Sequence, residues 1–70
     1  MSNEIDRLLR IGDVLRLTSL SRSRVYELRA RGDFPAPVRV SSRGVRWRQS
    51  DVVAWIESRP SAGADPEEAV

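Results

Sequence analysis

The 70-residue sequence predicts a mainly α domain with a small β-hairpin, arranged as a winged helix-turn-helix: helix-turn-helix, two-stranded wing, third helix. Three observations predict it. Two short helical patterns meet at Thr18-Ser19-Leu20-Ser21. A connector with two prolines then leads into valine–arginine alternation on both sides of a polar tip. A last apolar face follows and stops at Pro60.

Residues 1–9 read as a polar N-terminal arm ending in Leu8-Leu9, which can pack on the domain. The domain itself is expected over residues 10–59. From Ile11 to Thr18, apolar side chains at 11, 14, 15 and 17 fit a short amphipathic helix, with Asp13 near its positive end. Leu20 is expected to plug the corner between the two helices. Ser21 is a good N-cap for a second helix running to about Arg31, and Gly32 stands where a helix commonly ends in a left-handed residue. Asp33-Phe34-Pro35-Ala36-Pro37 cannot be helical, because each proline forces its predecessor into extended geometry. The alternation of Val38-Arg39-Val40 and Val45-Arg46-Trp47-Arg48 around Ser41-Ser42-Arg43-Gly44 reads as a hairpin. Val38, Val40, Val45 and Trp47 are expected on one face, and Arg39, Arg46 and Arg48 on the other. Ser50 is expected to cap a third helix, Asp51 to about Arg59, with Val52, Trp55 and Ile56 inward. Both tryptophans are expected in the core. Residues 60–70 are small, acidic and aperiodic, and read as a disordered tail.

Composition excludes several functions. With no cysteine and no histidine, the chain has neither disulfides nor the usual zinc ligands, and no serine or cysteine triad can be built. Without lysine there is no Schiff base and no P-loop lysine. Tyr26 as a recombinase-type nucleophile would have no histidine or lysine to assist it. No enzyme activity, cofactor or metal is expected. The longest apolar run, Val52 to Ile56, is far short of the roughly 20 residues that span a bilayer. No signal peptide opens the chain, so no membrane association is expected and the cytoplasm is the expected compartment.

Net charge is +2, yet the distribution is uneven: between Arg16 and Arg48, nine arginines face Glu27 and Asp33, a local excess of +7. A guanidinium donates bidentately to phosphate and to guanine, so this block points to double-stranded DNA. On the second helix Val25 and Leu28 face inward, leaving Arg22, Ser23, Tyr26, Glu27 and Ala30 outward with Arg24 and Arg29 flanking. In a helix-turn-helix this face enters the major groove. Arg22 is suited to guanine, Ser23 to a base edge or phosphate, and Glu27 to the cytosine amino group. Tyr26, Arg24 and Arg29 are suited to phosphates. At the hairpin tip, Arg43 is placed to enter a narrow minor groove, with Arg46 a weaker candidate on the strand. A solvated surface helix would carry the same residue types; the order of turn, capped helix and arginine-tipped hairpin is what points to DNA.

The segments LSRSRVYEL, GDFPAPV and VRWRQSDVVAWI, in this order and spacing within about residues 8–59, resemble the AlpA family of phage and mobile-element regulators. Those proteins are relatives of excisionases with a MerR-like winged fold. The resemblance implies transcription regulation of a prophage or integrated element, or DNA recombination directionality beside an integrase. By position it implies that Arg22, Ser23 and Tyr26 lie on a recognition helix and that Arg43 lies in a wing. The family usually has glycine where this chain has Ser19, and often paired glycines where it has Ser41-Ser42. No heptad or dimerisation helix is visible, which favours monomers that self-associate on DNA. A protein-interaction adapter is the remaining reading.

Overall fold

A computed structural model describes residues 5–62 and is mainly helical, with small antiparallel strand pairs. The element order is β1 (Leu8–Leu9), α1 (Ile11–Thr18), α2 (Arg22–Ala30), β2 (Val38–Arg39), β3 (Val45–Arg48) and α3 (Gln49–Glu57). This order is compatible with a winged helix-turn-helix.

Helix α1 starts where the Asp13 carboxylate accepts the Arg10 amide at 3.1 Å, satisfying one of the orphan donors of a helix end. It ends at Ser19, which takes the left-handed conformation at φ +61° while its amide reaches the Leu15 carbonyl. Thr18 supports the corner: its hydroxyl donates to the Val14 carbonyl and accepts the Leu20 amide. Leu20 is partly buried against the core. A side chain in the left-handed region costs about 1–2 kcal/mol, part of which glycine returns as unfolded-state entropy. Ser19→Gly is therefore expected to stabilise the domain by about 0.5–1 kcal/mol, read as a rise in Tm of roughly 3–6 °C.

Helix α2 forms as its cap predicts. The Ser21 hydroxyl oxygen accepts the Arg24 amide at 3.1 Å. At the other end Gly32, at φ +78°, turns the chain so that the Asp33 amide reaches back to the Leu28 carbonyl at 2.8 Å. The connector that follows is extended, but it is not idle surface. Phe34 is buried and meets Trp55 edge-on at 4.8 Å. The Trp47 indole donates to the Pro35 carbonyl and the Trp55 indole to the Asp33 carbonyl, so each tryptophan fixes one carbonyl of the connector. Trp47 is fully buried; Trp55 is only partly so, with Arg59 stacked over its ring at 4.3 Å, a correction to the expectation of two core tryptophans.

The strands and the last helix differ from expectation in three ways. First, the sheet has three strands in the order β1-β3-β2, because Leu8 and Leu9 pair with Arg48 and Trp47. Second, the wing register places Val38 opposite Arg46 and Arg39 opposite Val45. Directly opposed residues share a face, so the valines do not line up as expected, and Val40 is 45% exposed. The tip decides this. Its closing bond runs from the Val40 amide to the Gly44 carbonyl, and a shift of one residue would have reversed every facing. Third, α3 begins at Gln49, two residues earlier than expected, and Ser50 lies inside it. Its cap comes from the N-terminal segment: the Asp6 carboxylate accepts both the Ser50 hydroxyl, at 2.7 Å, and the Ser50 amide, at 3.0 Å. The Arg7 carbonyl accepts the Gln49 amide at 2.8 Å.

Leu9, Val14, Val25, Leu28, Phe34, Trp47 and Val52 form one core drawn from five of the six elements and the connector. The expectation for the acidic tail falls largely on residues outside those described.

Folding depresses two carboxyls of this scaffold. Hydrogen bonds from the Ser50 hydroxyl and amide, with the Arg48 charge nearby, hold Asp6 below the ordinary range. The Arg10 amide, then Arg16, do the same for Asp13. A depressed acid adds stability above its unfolded value, about pH 4, and loses it as pH falls through the lower folded value. The Tm is expected to drop on acidification below about pH 4, and Asp6→Asn to flatten that drop; thermal melts across pH check both.

Candidate nucleic-acid interface

Helix α2 buries one edge, Val25 and Leu28, and leaves Arg22, Ser23, Arg24, Tyr26, Glu27, Arg29 and Ala30 exposed. Tyr26 keeps 42% of its surface in solvent. The left-handed corner at Ser19 and the Ser21 cap set where this helix leaves α1, so the exposed face is held by backbone geometry on a packed element.

The electrostatics of its first turn are informative. Negative side chains are favoured at a helix N-terminus, yet the first turn of α2 contains no acid and holds Arg22 and Arg24 instead. That placement works against helix stability and suits an external anion, which a helix N-terminus favours through its free amides. Arg24 is partly neutralised: its Nη1 donates to Glu27 at 2.8 Å. That hydrogen bond, followed by the charges of Arg24 and Arg31, holds the Glu27 carboxyl below the ordinary range. Glu27 therefore remains an ionised acceptor at neutral pH.

Sequence reasoning cannot tell engaged arginines from available ones, and the structure separates them. Arg16 pairs with Asp13, Arg24 with Glu27 and Arg31 with Asp33. Arg39 donates to the Ser42 carbonyl, Arg46 to the Val45 carbonyl, and Arg59 covers Trp55 while bonding its carbonyl. Among the described residues, Arg7, Arg22, Arg29, Arg43 and Arg48 have no such partner. Of the arginines expected to contact DNA, Arg22, Arg29 and Arg43 are the ones that retain open donor groups. Arg46 is turned onto its own strand and is half-buried, which weakens it as a contact. Arg43 lies at the exposed hairpin tip.

A family model described as the prophage CP4-57 regulatory protein AlpA matches residues 7–60, which span the three-stranded sheet and all three helices. The chain belongs to the AlpA family. Over 54 residues it is 43% identical to the uncharacterized protein ORF88 of Enterobacteria phage P4, a stretch covering 77% of this chain and 61% of that one. The chain thus spans less than two-thirds of that relative's length. No solved structure matches it. AlpA is described as a regulatory protein, and the matched region contains every residue singled out above, from Arg22 on α2 to Arg43 and Arg46 in the hairpin. No helix among the described residues is long and apolar enough to cross a membrane.

Proposed function

We propose that this AlpA-family chain is a sequence-specific, non-catalytic DNA-binding regulator of a prophage or mobile element, acting on DNA in the cytoplasm as a winged helix-turn-helix. Helix α2 is the recognition helix, entering the major groove with Arg22, Ser23 and Glu27 toward base edges. Arg24, Tyr26 and Arg29 approach phosphates, and Arg24 also holds the Glu27 carboxylate in place. The β2–β3 hairpin is the wing, with Arg43 entering the minor groove and Arg46 beside the backbone.

One observation carries this reading: a helix capped by Ser21 and fixed by Val25 and Leu28 presents two arginines in its first turn, where helix stability disfavours them. An adapter surface has no need of that arrangement, whereas a phosphate-lined groove does. Selection of binding sites from a random duplex pool at near-physiological salt tests it. A defined motif is the expected outcome, and a pool that stays random contradicts it. A single or palindromic site marks a regulator; tandem repeats mark a recombination factor that self-associates on DNA beside an integrase.

A further inference from the structure

The hairpin tip is built around the two peptide groups that flank Arg43. On the N-terminal side, the Ser42 carbonyl accepts the Arg39 guanidinium at 3.1 Å. On the C-terminal side, the Gly44 amide donates to the Ser41 hydroxyl oxygen at 2.9 Å. The Gly44 carbonyl in turn accepts the amides of Val40, at 2.9 Å, and Ser41, at 3.3 Å. A Cβ at Gly44 would stand 2.7 Å from the Ser41 hydroxyl oxygen and 3.3 Å from the Val40 Cγ2, so a side chain there would displace the hydroxyl that the Gly44 amide bonds. Orientation of the peptide planes before and after a residue sets its φ and ψ, so these bonds fix the direction in which the Arg43 side chain leaves the tip. Its own guanidinium has no partner among the described residues.

We propose that Arg39, Ser41 and Gly44 are positioning residues that hold Arg43 in one backbone conformation for its contact with DNA. The inference rests on the DNA-binding reading above and adds to it the residues through which the wing is pre-ordered. Arg39 is then a support for the tip, its Nη1 donating to the Ser42 carbonyl. Pre-ordering matters because an arginine on a loose loop loses conformational freedom on binding, a cost that a fixed tip has already met.

Two measurements on the whole protein test the proposal. In the free protein, hydrogen exchange at the Gly44 amide should be slow for an exposed tip, and Ser41→Ala should accelerate it while leaving the Tm nearly unchanged. On the selected duplex, Ser41→Ala should weaken binding by about 3- to 10-fold, the scale of one hydrogen bond and its ordering. In an Arg43→Ala background the same change should cost almost nothing more, because Ser41 acts through Arg43. Losses that multiply fully, no loss in Ser41→Ala, or a Gly44 amide that exchanges freely in the wild-type protein would each overturn the clamp. In those cases wild-type binding and the effect of Arg22→Ala stay intact, so the DNA-binding reading survives. Absence of any preferred duplex for the wild-type protein removes both.

Discussion

Trp47→Ala is expected to remove about half of the stability of the domain. Trp47 is 1% exposed, lies on the central strand β3 opposite Leu9, and bonds the connector through the Pro35 carbonyl. Truncating a buried tryptophan costs about 3–5 kcal/mol through lost transfer energy and the cavity left behind. A chain of this length has a total stability of only about 4–10 kcal/mol, so a large share would be removed by one substitution. No disulfide is available to compensate. Trp47→Phe separates the two contributions. It keeps most of the apolar volume but leaves the Pro35 carbonyl without its donor, and should cost about 1–3 kcal/mol. Urea denaturation followed by circular dichroism measures both variants.

Arg22→Ala is expected to move stability and binding in opposite directions. The substitution removes a positive charge from the first turn of α2 and introduces a strong helix former, which should raise stability by about 0.3–1 kcal/mol. On the selected duplex it should cost about 1–3 kcal/mol, roughly 5- to 150-fold, if the guanidinium bonds a base bidentately. On a scrambled duplex the loss should be smaller, and site selection with the variant should show relaxed preference at one position. A variant that is more stable and yet binds less well excludes misfolding as the cause. Equal affinity for the selected duplex would remove Arg22 from the contact surface.

Helices α1 and α2 were legible in the sequence because their signals are local. The spacing of Ile11, Val14, Leu15 and Leu17, the Ser21 cap and the terminating Gly32 all act within a few residues. Part of what escaped depends on distant partners and part on local geometry that residue type does not set. The start of α3 was displaced because its cap is Asp6, 44 residues away, and the serine that looks like a cap is instead bonded by it. The wing register escaped because its parity is set by one tip bond, from Val40 to Gly44, which alternation alone does not encode. Phe34 was read only as part of an extended connector, since nothing local signals that Trp55 will meet it. The exposed face of α2 was readable from helical projection, including Arg22, Ser23, Tyr26 and Glu27. Which arginines keep open donors was not: Arg24, Arg39 and Arg46 are engaged by a carboxylate or a carbonyl one to three residues away, and residue type alone does not set the rotamers that make those bonds.

If α2 reads base edges, attraction of arginines to phosphate is only part of binding. Fluorescence anisotropy on the selected duplex and on a scrambled one, across a salt series from low to physiological ionic strength, tests it most directly. Phosphate contacts weaken with salt on both duplexes alike, whereas base contacts persist as a difference between them. Parallel salt slopes are expected, with the selected duplex bound at least about 1,000-fold more tightly at physiological salt. Affinities that fall together and converge on a single curve would contradict base reading by α2.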